Sequence, residues 1–283
     1  MNTSTPRRTD DWGADFFGTI NEMPPEPISL IIQILEAMGT EPGFRGARQT
    51  LLRELGLAQG ATILEAGCGT GTSLPDIQAV IGSEGRVTGI DPTVAFIDAA
   101  RRRVVTCPYQ NETYEIGDIR ALSAADNSFD AAFCDKVLIH AGPASVALGE
   151  LARVTRPGGA VGALEWLPFF AVSSRRPELV ARYNGLFRQA VYDYEVSSNL
   201  ARHLHAAGLT DVRSQAFLAY ASSLDEHPFW RAFLIDQMPL FVHVGLLTAE
   251  EAEGLCSDFL ELDALGEFNA SFVIQVAVGR KPA

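Results

Sequence analysis

Ile63-Leu64-Glu65-Ala66-Gly67-Cys68-Gly69-Thr70-Gly71 is the stretch on which the fold turns. Thr62 to Glu65 predicts a short strand. Three alternating glycines end it, and Leu74, Pro75 and Ile77 start a helix with proline in its permitted first turn. Glycine lets a backbone approach a ligand closely, but it also serves ordinary turns, so the loop takes its meaning from the next strand. That apolar run, Arg86-Val87-Thr88-Gly89-Ile90, ends in Asp91, 20 residues after Gly71. At that spacing an acid in a βαβ unit reaches a pair of ribose hydroxyls. The glycines depart from the G-x-G-x-x-G of dinucleotide sites: Gly71 arrives one position early, and Thr72 stands where the final glycine belongs. Glu65, two residues before Gly67, would repel a pyrophosphate and suits a cationic amino group. A nicotinamide oxidoreductase is thereby disfavoured.

Outward from this stretch, short apolar runs alternate with amphipathic segments. Strands are expected near 62–66, 86–90, 113–116, 129–134 and 160–166, with helices near 74–81, 93–104 and 144–154. This alternation predicts an α/β fold with a parallel, doubly wound sheet. Upstream lie a polar tail, the aromatics Trp12, Phe16 and Phe17, a proline-rich break, and two helices near 28–38 and 44–57. Residues 1–44 are read as a tail and helix and a candidate lid, 45–166 as the cofactor-binding core, and 167–283 as the rest of the sheet. Insertions at about 167–197 and 221–268 are expected to form a helical cap over the sheet's carboxyl edge. Strands near 212–217 and 272–279 complete the pattern.

Composition narrows the partners. With 35 acidic against 22 basic residues the chain carries a formal charge of −13, a field that repels nucleic acid and anionic membrane surfaces. Cys68, Cys107, Cys134 and Cys256 form no CxxC pair and no zinc spacing, which points to a cytoplasmic setting and to no metal. No apolar run reaches bilayer-spanning length. A small-molecule partner is left as the expectation, and a homo-oligomer is compatible with the sequence.

Several motifs together resemble the class I, Rossmann-like S-adenosylmethionine (SAM) dependent methyltransferases, in the branch of ubiquinone-biosynthesis and small-molecule methyltransferases. Ile63–Gly71 resembles the first motif of that family and Val87–Asp91 the second. Gly117-Asp118-Ile119 resembles the third. Phe129–Cys134 with Val137–His140 resembles the fourth strand and its following helix, Leu151–Gly159 the turn before the fifth strand, and Phe272–Arg280 the terminal hairpin strand. The resemblance covers about 45–280. It implies seven strands with the last antiparallel, SAM as cofactor and S-adenosylhomocysteine as product, and cofactor contacts from Glu65, Gly67, Cys68, Gly69, Asp91, Pro92, Asp118, Ile119 and the Cys134 backbone. Asp91 would hold the ribose and Asp118 the adenine amino group.

The reaction so implied is methyl transfer to an O, N or C atom of a small, largely apolar metabolite, as in secondary metabolism. It is an SN2 step in which alignment supplies much of the acceleration. His140, a few residues beyond the fourth strand, is the first candidate base, since a histidine titrating near neutrality suits the task. Glu165, at the end of the fifth strand, is the second, expected to pair with His140 and charge it. Asp135 and Lys136 are opposite neighbouring charges that would satisfy each other. Trp166, Tyr183, Tyr192, Tyr194, Phe229, Trp230 and Phe241 suggest an apolar or aromatic acceptor under the cap. The alternative is a protein of this fold that binds SAM and a ligand without transferring the methyl group.

Overall fold

The computed structural model describes residues 20–104, 111–189, 191–243 and 245–283, so Trp12, Phe16 and Phe17 lie outside it. Among the described residues the first α-helices are two proline-led ones, α1 (Pro25–Thr40) and α2 (Pro42–Glu54), preceded by a short 3-10 turn at Ile20–Glu22. Glu41 joins them and accepts the Phe44 amide at 3.0 Å, capping α2. Next come β1 (Thr62–Ala66), α3 (Leu74–Ile81), β2 (Arg86–Asp91), α4 (Val94–Val104), β3 (Glu112–Ile116), β4 (Phe129–Asp135), α5 (Ala144–Val154) and β5 (Thr155–Val172). The chain continues through α6 (Pro177–Gln189), α7 (Leu200–Ala206), β6 (Thr210–Ala221), α8 (Pro228–Arg231), α9 (Met238–His243), α10 (Ala249–Ala264) and β7 (Ala270–Arg280).

One sheet carries the seven strands in the order β3-β2-β1-β4-β5-β7-β6. The first five run parallel, and β7 is antiparallel to both β5 and β6. From β1 the chain builds outward to β3, then returns to lay β4 on the other side of β1. That reversal opens a crevice at the carboxyl ends of β1 and β4, the place where open α/β sheets take ligands. The central strands are apolar runs because both their faces are covered: Ile63, Ala131, Ala132, Phe133, Val161 and Leu164 are all fully buried.

Two elements differ from expectation. β5 does not stop at Trp166 but continues to Val172, because β7 supplies pairing partners as far as Ala270 across a bulge between Trp166 and Phe170. The helix after β5 packs on β5 and against the helix that precedes β7, and the aromatics of this region form core and not an open acceptor surface. Trp166, Tyr183, Phe229, Trp230 and Phe233 are buried, and Phe272 of β7 stands within 5.1–6.0 Å, ring to ring, of Trp166, Phe229, Trp230 and Phe233. Large apolar rings withdraw from water wherever neighbouring elements can cover them. Of the aromatics singled out in this part of the chain, Tyr192 and Tyr194 stay exposed.

Candidate functional site

Gly67 turns out of β1 with φ +76°, a conformation in which a side chain is strained. A Cβ at this position would lie 2.2 Å from Cγ2 of Val137, so the loop can press against the segment after β4 only as glycine. The amides of Gly67 and Cys68 both donate to the Ile90 carbonyl, at 2.7 and 2.9 Å, tying the loop to the end of β2. Asp91 is the last residue of that strand. One of its carboxylate oxygens accepts the Gly69 amide at 3.0 Å and the other the Thr93 amide at 2.8 Å, and burial raises its pKa above the usual carboxylate value.

A pocket opens above these groups. Across the sheet its wall runs from Asp118, Ile119 and Arg120 beyond β3, through Asp91 and Pro92 at the end of β2 and Gly67 and Gly69 beyond β1, to Asp135, Lys136 and Val137 at the end of β4. Leu35, Phe96, His140 and Ala141 close its apolar side. Asp118 is 40% exposed and held by Arg120, whose guanidinium donates to both carboxylate oxygens at 2.7–3.0 Å and keeps the pKa low. Asn21 clasps the loop after β2, donating to the Pro92 carbonyl at 3.0 Å and accepting the Val94 amide at 2.9 Å.

Not every predicted residue reaches the pocket. Glu65 is 2% exposed and lies beneath the loop, its carboxylate taken by the Ser73 hydroxyl, and burial pushes its pKa up to about 8. Cys68 faces away as well, packed with Ile97, Ala100 and Tyr114. Cys134 is sealed within the sheet between Ala66 and Ala163, so β4 meets the pocket one residue later, at Asp135. His140 does line the pocket. Loss of bulk water around the imidazole drives its pKa down to about 3, so it does not titrate near neutrality as expected.

The expected Glu165–His140 pair is not formed. Oε1 of Glu165 accepts the amides of Val137 and Leu138 at 2.8 and 2.6 Å, while Oε2 is buried without a hydrogen-bond partner. Burial raises the pKa of this carboxyl to about 8. Glu165 thus caps the turn leading to His140 and does not line the pocket.

Residues 63–159 match the family model described as a methyltransferase domain. The O-methyltransferase rstn1 of Aspergillus nomiae is 30% identical over 189 residues, covering 61% of this chain and 79% of that protein. This chain belongs to the SAM-dependent methyltransferase family. An uncharacterized 37.1 kDa protein in transposon TN4556 of Streptomyces fradiae is 35% identical over 137 residues, covering 48% of this chain and 39% of that relative's length. Among solved structures, Haemonchus contortus phosphoethanolamine N-methyltransferase 2 in complex with SAM shares the fold. Its TM-score is 0.58 at 17% identity, over 95% of this chain and 60% of that one.

The pocket's charge suits the cofactor of this methyltransferase family. Asp91, Asp118 and Asp135 line it against Arg120 and Lys136, each cation already paired to a carboxylate, which favours a cationic ligand over a pyrophosphate. Asp91 is held in place by two amides at the end of β2, and Gly67 and Gly69 keep the loop close.

Sequence reasoning missed the network behind this wall. Arg48 of α2, almost fully buried, donates from Nε and Nη2 to Asp76 of α3 at 3.1 and 2.7 Å and from Nη2 to the Gly39 carbonyl at 2.6 Å. Its Nη1 stands 3.6 Å from Asp135, which also pairs with Lys136. No local pattern marks a partnership between residues 28 and 87 positions apart; an arginine on an otherwise apolar helix face was the available signal. Among the described residues no cluster of His, Cys, Asp and Glu could hold a metal, and no helix is long and apolar enough to cross a membrane.

Proposed function

We propose that this chain transfers the methyl group of SAM to an O, N or C nucleophile of a small, largely apolar metabolite. The observation that carries this reading is Asp91, buried, anchored by the Gly69 and Thr93 amides, and presented to a pocket of net negative lining. The cofactor supplies an electrophilic methyl on a sulfonium. Held by Asp91, Gly67 and Gly69, it would give up that methyl to the acceptor, with the sulfur–carbon electron pair remaining on S-adenosylhomocysteine and any acceptor proton passing to solvent. The protein's part is alignment and exclusion of water.

Leu35, Phe96, Val137 and Ala141 offer the acceptor apolar contact, and His140 offers a neutral imidazole. With its pKa near 3, His140 accepts a hydrogen bond from the acceptor and orients it, while the proton the acceptor loses passes on to solvent. The N-terminal part braces the cofactor side through Asn21, which clasps the loop after β2. Glu65, Cys68 and Cys134 support the site from beneath.

Titration calorimetry with SAM and Asp91→Ala tests the cofactor reading. Loss of a charge-assisted contact of about 2–3 kcal/mol weakens binding roughly 30- to 150-fold. Unchanged affinity would remove the ribose assignment. Formation of S-adenosylhomocysteine in the presence of apolar hydroxyl, amine and enol acceptors then separates methyl transfer from binding alone.

A further inference from the structure

The strand order puts four pocket-lining groups in a row across the sheet: Asp118 beyond β3, Asp91 at the end of β2, Gly67 beyond β1 and Asp135 at the end of β4. With ribose and adenine over the first two, the amino-acid end of the cofactor falls at the β1–β4 crevice. Two acids stand there, and the structure separates them. Glu65 is sealed under the loop by Ser73, whereas Asp135 lines the pocket.

Asp135 has two cations of different standing. Arg48 is committed to Asp76 and the Gly39 carbonyl, is almost fully buried, and approaches Asp135 only to 3.6 Å. It fixes the carboxylate from behind. Lys136 makes the direct ion pair and itself lines the pocket, its ammonium also 5.4 Å from the centre of the Phe44 ring. Its backbone is held at φ +61°, with the amide donating to the Leu164 carbonyl at 2.7 Å, so the side chain leaves a pinned main chain on a flexible stem.

Resting on the cofactor reading, we propose that Asp135 is the counter-ion for the α-ammonium group of the cofactor, and that Lys136 is an internal ammonium competing for the same carboxylate. A sulfonium carries no N–H and cannot replace the lysine in kind, whereas a primary ammonium can. Binding exchanges one ammonium for another on Asp135 and turns Lys136 toward the mouth of the pocket. The lysine therefore sets cofactor affinity below what the carboxylate alone would give, easing release of S-adenosylhomocysteine, which carries the same ammonium.

Calorimetry on the full chain tests this with three ligands: SAM, S-adenosylhomocysteine, and methylthioadenosine, which lacks the amino-acid part. Lys136→Met keeps length and contact with Phe44 while removing the charge. It is expected to tighten both amino-acid-bearing ligands by on the order of tenfold and to leave methylthioadenosine unchanged. Asp135→Asn is expected to weaken the same two ligands alone, and a thermal melt reports whether the variant folds. Equal or weaker SAM binding by Lys136→Met overturns the competition, and weaker binding hands the lysine to the cofactor's carboxylate. Tightening of methylthioadenosine to the same extent also overturns it. Failure of the wild-type chain to bind any of the three defeats the cofactor reading instead, so the two failures are distinguishable.

Discussion

Glu165→Gln isolates the energetic consequence of a carboxyl group that the sheet buries completely. Its pKa is pushed from the ordinary 4.5 to about 8, so the folded chain holds this proton over a range in which the unfolded chain has lost it. Between those values the native state binds more protons than the unfolded state, and rising pH therefore drains stability. At about 1.4 kcal/mol per pH unit, the loss across the whole window reaches roughly 5 kcal/mol. Glutamine keeps an oxygen that accepts the Val137 and Leu138 amides, and it never ionises. It does bury an NH2 where Oε2 now lacks a partner, a pH-independent cost of about 1–3 kcal/mol. Urea unfolding of both proteins from pH 5 to pH 9 should show the variant less stable at the acid end and more stable at the alkaline end. Taking the difference cancels Glu65, which carries the same upward shift, and His140, whose lowered pKa costs stability as pH falls below 6.5. Parallel stability curves would refute the argument, because they would mean that Glu165 ionises equally in both states.

Gly67→Ala places a methyl group 2.2 Å from Val137 at a positive φ, and should cost about 1–3 kcal/mol of stability as well as SAM affinity. Differential scanning fluorimetry and calorimetry check the two effects, and an unshifted melting temperature contradicts the close approach. His140→Ala should lower kcat by about tenfold or more through lost orientation of the acceptor, with little change in SAM affinity. In the wild type no rate transition between pH 5 and 8 should belong to this imidazole, since its pKa lies near 3; a limb near 6.5 that the substitution abolishes would show otherwise.

The stretch from Ile63 to Gly71 and the acid after it were legible in the chain alone, and so were β1, α3, α5 and β4 to within a residue. Each is written in neighbouring residues: an apolar run, a glycine that alone tolerates positive φ, and a proline in the first turn of a helix. The carboxylate at the end of β2 needed only the period of a βαβ unit. Spacing along the chain carries that information.

What tertiary structure decided is which of several like-charged groups meets the pocket. Glu65 and Asp135 both lie near strand ends at the same crevice. Ser73 and the loop itself close over the first, while β4 carries the second one residue past its buried Cys134. The same holds for Glu165, diverted to two amides, for the aromatics drawn together around Phe272, and for His140, whose acidity depends on what excludes water from it. Burial and ion pairing depend on residues brought together from distant elements, such as Arg48 with Asp76, and no local pattern records them. The sequence determined the fold and the proposed cofactor seat on β1 and β2, because those depend on backbone conformation and period. Only the packed chain determined which side chains face that seat and in which protonation state.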